Sequence, residues 1–307
     1  MANKKIQRIK TISEYHKFRN LPKPLHPLIS LVDYSLIQHT SDTNDLNWIQ
    51  EFYTIGLKRD VQGKFRYGQK QYDFDEGLMS FIAPNQVFGV EVFDYKNAPS
   101  PTGWLLFIHP DFLWNSPLAK TIKCFEFFGY NVNESLFLSE KEEKIIVEIL
   151  RNIEQEYHQN IDAFSQRIII SYLDTLLTYA ERFYQRQFIT RKISNHQILE
   201  SLEEVLVNFF NDKALMSKGV PTVSYIAGRL NVSPNYLSGL LKTHTGKSTQ
   251  QHIHDKIIEK AKEKLTTTGL SVSEIAYDLG FEYPQSFSKL FKQKTDFSPL
   301  EFRQSFN

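Results

Sequence analysis

Ser224-Tyr-Ile-Ala227-Gly-Arg-Leu-Asn231-Val-Ser233-Pro234-Asn-Tyr-Leu237 decides the reading of this chain, because it returns 49 residues later as Ser273-Glu-Ile-Ala276-Tyr-Asp-Leu-Gly280-Phe-Glu-Tyr-Pro284-Gln-Ser-Phe287. The tails repeat as well: Leu240-Leu-Lys242 with Thr245 and Ser248 is echoed by Leu290-Phe-Lys292 with Thr295 and Ser298. Each copy reads as helix, tight turn, helix. Ala227 and Ala276 stand where the two helices of a unit cross, since a small side chain lets the backbones approach. Asn231 and Gly280 lie at the turns, where a positive φ is best tolerated by Asn and Gly. Ser233-Pro234 supplies an N-cap and an N1 proline to the second helix of the first unit, and Pro284 takes the N1 role in the second. Ser271 with Glu274 makes a capping box for the supporting helix of the second unit.

With Leu237, Leu240, Phe287, Leu290 and Phe291 turned inward, elimination leaves two outward sets. Asn235, Tyr236, Ser238 and Lys242 belong to one helix; Gln285, Ser286, Ser288, Lys289 and Lys292 belong to the other. Asn and Gln side chains can pair with adenine, and Lys with guanine or phosphate, so these nine residues are the predicted DNA-binding set. A connecting helix from about Thr249 to Leu265 would span roughly 25 Å at 1.5 Å per residue. That places two readers about one turn of DNA, ~34 Å, apart.

Charge gives no help to this reading. The 307 residues carry 36 Lys plus Arg against 35 Asp plus Glu, so a DNA-binding field must come from arrangement. Lys289, Lys292 and Lys294 form one cluster, and Lys242 with Lys247 a second. The single cysteine, Cys124, excludes an intrachain disulfide and a Cys-based zinc finger. Met-Ala-Asn-Lys-Lys leads into no apolar signal-peptide core, and no run approaches the ~20 apolar residues of a membrane span. The expected location is cytoplasmic, with no membrane partner.

The chain is long enough for two domains. Residues 1–27 read as an N-terminal extended segment, with Leu21-Pro-Lys-Pro-Leu-His-Pro27 poor in helix. From Leu28 to about Pro110, short β-prone runs (28–36, 52–57, 78–83, 87–93 and 104–108) alternate with turn residues, which argues for a small barrel or sandwich. Ser139 and Glu142 then form a capping box for a helix striped by Ile145 or Ile146, Ile149, Ile153 and Tyr157. A second striped helix runs from about Ala163 to Phe183. These stripes are either core or a dimer seam, and the seam is favoured because paired half-sites gain affinity through effective concentration. Residues 28–184 thus form the front domain, 185–195 a polar linker, and 196–307 an all-α domain of seven helices. Its helix-turn-helix units occupy 222–243 and 271–293.

The last hundred residues closely resemble the DNA-binding domain of the AraC/XylS family of bacterial transcription regulators. The resemblance rests on Ile226-Ala227, Ser233-Pro234-Asn-Tyr-Leu237, Thr245-Gly-Lys-Ser248, Ala261-Lys-Glu-Lys-Leu265, Ile275-Ala276, Leu279-Gly-Phe281, Phe287, Phe291-Lys292, Ser298-Pro299 and Phe302-Arg303. The front part is similar, through Tyr72-Asp-Phe-Asp-Glu-Gly77, Ala83-Pro-Asn-Gln86 and Phe183-Tyr-Gln-Arg-Gln-Phe188, to the cupin-like sensor domains that family carries. The implied fold class is α+β in two domains: a cupin-like β-barrel with a helical extension, then two helix-turn-helix motifs joined by a helix. Three departures bear on sequence preference. Gly239 stands where many members have a polar residue, Asp296 replaces a usual glycine, and Glu282-Tyr-Pro284 replaces a commoner acidic-polar opening.

The resulting expectation is a sequence-specific transcription regulator with a small-molecule effector in its front domain. Trp104, Phe81, Phe88 and Tyr67 are candidates to line that cavity, with plain core as the competing reading. The expected partners are double-stranded promoter DNA, the effector, a second copy of the chain as a homodimer, and RNA polymerase. The alternative is a cupin-like metalloenzyme whose C-terminal helices act as a tether. His252 and His254, two apart on a helix, point to different faces, and His109-Pro-Asp111 lacks the histidine spacing of a metal-binding cupin. No catalytic residue, metal ligand or cofactor is assigned.

Overall fold

A computed structural model describes residues 6–37, 47–59, 77–89, 102–130, 134–159, 164–190 and 192–305. The chain divides into two compact units, Met1–Gln187 and Phe188–Asn307. No helix among the described residues is long and apolar enough to cross a membrane.

Among the described residues the first unit contains β1 (Ile6–Ile9), α1 (Ile12–Phe18), β2 (Ile29–Asp33), β3 (Asn47–Gln50), β4 (Tyr53–Arg59), β5 (Leu78–Ile82), β6 (Val87–Gly89), β7 (Thr102–Ile108), α2 (Leu118–Thr121), β8 (Leu136–Phe137), α3 (Glu140–His158) and most of α4 (Ser165–Thr190). The strands form two sheets, one of order β1-β3-β6 and one of order β2-β7-β4-β5-β8. Among the described residues these sheets are open, so the expected closed cupin-like barrel is not what they form. Residues 1–27 are not simply extended either. Thr11 and Glu14 close a capping box that starts α1, and Ile12 and Tyr15 bury its inner side.

The five-stranded sheet is covered on both faces, which explains why β7 carries a continuous apolar run and why β4 is buried along most of its length. On one face, Val32, Leu105 and Phe107 join Ile9, Ile12, Tyr15, Trp48 and Phe52 in a cluster with α1 and the smaller sheet. On the other, Ile55, Leu106 and Phe81 share a register, and Phe81 meets Phe127, Phe128 and Tyr184. Strand alternation therefore puts Phe81 and Trp104 on the face opposite α1. They pack as core or under Arg59, whose guanidinium lies 5.7 Å from the Trp104 ring centre. Of the other cavity candidates, Tyr67 and the Phe88 side chain lie outside the described residues.

Helix α3 begins at the capping box of Ser139 and Glu142, and Glu142 also takes a two-point ion pair from Arg186 on α4 at 2.6 and 3.0 Å. Gln187 exchanges hydrogen bonds with Ser135 and Phe137. The polar part of Phe183-Tyr-Gln-Arg-Gln-Phe188 thus ties α4 to β8 and to the start of α3. Both helical stripes, Ile146, Ile149, Ile153 and Tyr157 on α3 and Ile169, Leu173, Leu176, Ala180 and Phe183 on α4, are buried within a single chain. The two stripes are therefore core of this chain, because one chain already satisfies their apolar demand.

The second unit contains α5 (Lys192–Asn211), α6 (Lys213–Met216), α7 (Val223–Arg229), α8 (Pro234–Thr245), α9 (Thr249–Thr267), α10 (Val272–Asp278), α11 (Pro284–Thr295) and α12 (Pro299–Gln304). The seven expected helices are present, and α6 is an addition, started by the Asp212 carboxylate accepting from the Ala214 amide at 2.8 Å. The stretch 185–195 is helical on both sides of residue 191. Helix α9 is the axle of the unit, burying Ile253, Ile257, Ile258, Ala261 and Leu265 among α5, α8, α10, α11 and α12.

Backbone sterics in β7 give a direct test of the first unit. Gly103 has φ +129° and a Cβ there would lie 2.0 Å from the Leu57 carbonyl oxygen. Gly103→Ala should destabilise this unit by at least about 3 kcal/mol, combining backbone strain with a clash that no side chain can relieve. All three tryptophans lie before residue 188, so urea unfolding followed by tryptophan fluorescence reads the change. An unshifted midpoint would disprove the close approach.

Candidate nucleic-acid interface

Two matched helix-turn-helix units stand on either side of α9. In each, the crossing alanine is fully buried: Ala227 between α7 and α8, Ala276 between α10 and α11. The turns carry positive φ at Asn231 (56°) and Gly280 (86°). The second helices are both 12 residues long and end in left-handed residues, Gly246 and Asp296, whose amides donate to the Lys242 and Lys292 carbonyls. Asp296 holds that conformation despite its side chain, so the departure from glycine leaves the helix end unchanged.

The starts differ. Ser233 caps α8 by accepting from the Tyr236 amide, whereas Tyr283 at the equivalent place on α11 makes no side-chain cap and is 60% exposed. The second turn is one residue longer, running from Gly280 to Pro284 instead of Asn231 to Pro234. Once the helices begin, the positions match at an offset of 50: Asn235 with Gln285, Tyr236 with Ser286, Gly239 with Lys289, Lys242 with Lys292.

The nine predicted contact residues separate into three groups. Asn235, Lys242, Gln285, Ser286, Lys289 and Lys292 are exposed. Ser238 and Ser288 are half-buried and engaged internally: the Ser238 hydroxyl meets the Thr249 hydroxyl at 3.0 Å, and the Ser288 hydroxyl donates to the Pro284 carbonyl at 3.0 Å. Tyr236 is a correction. It is only 6% exposed and packs edge-on against Phe188 with ring centres 5.1 Å apart. Leu290, expected inward, is half-buried. On α11, Gln285, Lys289 and Lys292 fall at i, i+4 and i+7 and share one face. On α8, the same face reads Asn235, Gly239, Lys242, a bare backbone between two polar side chains.

The lysine clusters also divide. Lys247 and Lys294 both bind one carboxylate, that of Asp255 on α9, at 2.7 and 2.8 Å. Burial raises the Asp255 pKa, but hydrogen bonds and charge from the two lysines outweigh it, and the group is held below its usual range. With a lowered folded pKa, the stability from these pairs is present above the ordinary carboxylate range and is lost as pH falls through the lowered value. Lys242, Lys289 and Lys292 have no ion-pair partner among the described residues. Sequence reasoning missed Asp255 because its partners lie 8 and 39 residues away, with no local pattern to signal them.

His252 and His254 have separate partners, the Thr245 hydroxyl and the Gln250 side chain, both at 2.8 Å. Burial lowers the pKa of each. Among the described residues, no three His, Cys, Asp or Glu side chains converge as a metal site.

A family model described as a helix-turn-helix domain matches residues 226–305. The chain is 32% identical over 116 residues to an uncharacterized HTH-type transcriptional regulator in the cgkA 5' region of Pseudoalteromonas carrageenovora, covering 38% of this chain and 64% of that protein. It is 26% identical over 275 residues to the uncharacterized HTH-type transcriptional regulator YfiF of Bacillus subtilis, covering 86% of this chain and 80% of that one. Among solved structures, the C-terminal domain of the response regulator yesN from Fusobacterium nucleatum is 31% identical, with a TM-score of 0.30, covering 34% of this chain and 95% of that one. The chain thus spans just under two thirds of the first of these relatives and most of the second. The repeated helix-turn-helix geometry and the matched residues identify the C-terminal unit as a helix-turn-helix domain of AraC type.

Proposed function

We propose that this regulator reads two neighbouring major-groove segments, with α11 as the principal reader and α8 as the weaker one. The observation that carries the reading is the shared, exposed face of Gln285, Lys289 and Lys292, whose two lysines form no ion pair among the described residues. Gln285 lies in the first turn of α11, the part of a recognition helix that approaches base edges. The matching face of α8 has Gly239 where α11 has Lys289, so it offers one contact fewer. Ser286 and Asn235 complete the exposed polar set. Tyr236 supports the helix from within, and Ser238 and Ser288 hold their own backbones and neighbours.

The N-terminal unit, a two-sheet β-structure closed by α3 and α4, is proposed as the sensor for a small-molecule effector. Effector binding would act by favouring the conformation that suits the operator. Promoter DNA and RNA polymerase are the partners this role requires, and the cytoplasm is where it operates. Selection of genomic fragments by the full-length protein at near-physiological salt tests the reading. A motif in two parts about one helical turn (~34 Å) apart is expected. A protein that enriches no sequence with or without candidate effectors would sink it.

Three substitutions assign the roles. Gln285→Ala should cost about 1–3 kcal/mol at one base position and relax preference there, read as a changed sequence logo. Lys289→Ala or Lys292→Ala should weaken binding to all sequences alike and flatten the salt dependence by about 1 in log-log slope. Asp255→Asn should do the reverse, freeing Lys247 and Lys294 and steepening that slope by about 1–2. An identical slope for Asp255→Asn would show that those two lysines do not reach the phosphates.

A further inference from the structure

Arg19 ends α1 inside the first unit and is only 4% exposed, yet its Nε and Nη1 have no hydrogen-bond partner among the described residues. Its guanidinium carbon lies 4.9 Å from the Trp48 ring centre, 5.2 Å from Phe18 and 6.0 Å from Tyr15. Ring faces and the carbonyl end of α1 offset part of the cost of burying this charge. The Tyr15 side chain takes one hydrogen bond from the guanidinium, but nothing among the described residues accepts the three protons on Nε and Nη1, and a buried cation left so under-satisfied is expensive.

Arg19 also lines a partly open cavity of about 30 Å³ between the two sheets. Lys58 also lines it, and none of the lining residues is acidic. Two positive charges thus face one small space, with no negative charge among the described residues that line it. Gln50 donates to the Thr54 hydroxyl at 2.6 Å, which turns that hydroxyl's own proton toward another acceptor. Gln50 and Thr54 are both buried and both line the cavity. A void of this size holds roughly two or three waters, or a molecule of only a few heavy atoms.

We infer that this cavity binds a small carboxylate, its oxygens taken by Arg19 with Lys58 and Thr54 as further donors. A carboxylate matches the planar guanidinium better than a spherical anion does, because it offers two acceptors in one plane. The inference rests on reading the N-terminal unit as the effector-binding part, and it names the chemical class of that effector.

The test uses the full-length protein titrated with sodium acetate and sodium propionate, against acetamide and propionamide, at fixed ionic strength. Tryptophan fluorescence reports occupancy because Trp48 stacks on Arg19, and the melting temperature gives an independent reading. The carboxylates are expected to give a saturable fluorescence change and a raised melting temperature, and the amides neither. Arg19→Gln should weaken carboxylate binding at least about tenfold, the cost of losing a charged hydrogen bond, and Lys58→Met should weaken it by less. In the ligand-free protein, Arg19→Met should raise the melting temperature, since it removes an uncompensated buried charge; a residue with a purely structural role would give the opposite sign. Equal responses to acids and amides, unchanged carboxylate affinity in Arg19→Gln, or a lowered melting temperature for ligand-free Arg19→Met would each overturn the site. Sequence selection on DNA is measured separately. A protein that selects its operator but ignores carboxylates overturns the anion site while leaving the DNA reading intact.

Discussion

The crossing of two helices over a single buried alanine is the constraint on which the C-terminal unit depends. At Ala227 and Ala276 any larger side chain would part the helices, and the turn that follows must reverse direction within a few residues. Only a left-handed residue achieves this cheaply, and Asn231 and Gly280 supply it. Gly280 carries a second burden, since a Cβ there would meet the backbone of Gly219 and Val220 at 2.8 to 3.0 Å. The second turn therefore packs directly against the loop that leads into α7, the supporting helix of the first helix-turn-helix. Through this contact and the shared axle α9, the angle of each reader is set by its own alanine and its offset by its neighbour.

Electrostatics then selects which lysines remain available. A chain with a net charge of +1 has no global field to attract nucleic acid. What it has is a local surplus on one helical face, and Asp255 keeps that surplus from spreading by neutralising Lys247 and Lys294 just past the ends of α8 and within the last turn of α11. Lys264 of α9 is likewise paired with Asp278 of α10. On α8 and α11 the lysines left without an ion pair among the described residues are thus Lys242 on one helix and Lys289 and Lys292 on the other. Such confinement favours one registered docking over sliding contact at many angles.

The helix-turn-helix half was legible because its determinants are local. N1 prolines, Ser caps, turn residues and alanines each act within a few residues, and the repeat wrote them twice. Tyr236 was misread for the opposite reason. Its burial depends on Phe188, 48 residues away, and elimination on a helical wheel has no access to such a partner. The front unit was partly legible. Runs such as Trp104-Leu-Leu-Phe-Ile108 declared strands, but a strand buried on both faces loses the alternation that would show which side is which. Hence the sequence leaves Phe81 and Trp104 open between cavity lining and plain core, and the structure puts them on the face opposite α1, while nothing marks Arg19, in a segment read as extended. A charged residue at the end of a short helix signals nothing until the tertiary fold buries it.

Burial of Arg19 also bears on how a very small ligand could matter to a DNA-binding protein. A ligand shifts a conformational equilibrium only by its difference in affinity between the two states, and coupling of about 1–3 kcal/mol is typical. A molecule of a few heavy atoms has little apolar surface with which to generate that difference. Pairing with a buried, unsatisfied cation provides it by another route, because most of the energy comes from relieving the protein's own desolvated charge. Any conformation that let water reach Arg19 would lose that advantage, so the ligand would favour the closed two-sheet state over looser ones. The strain of one uncompensated guanidinium makes the site responsive without requiring it to be large.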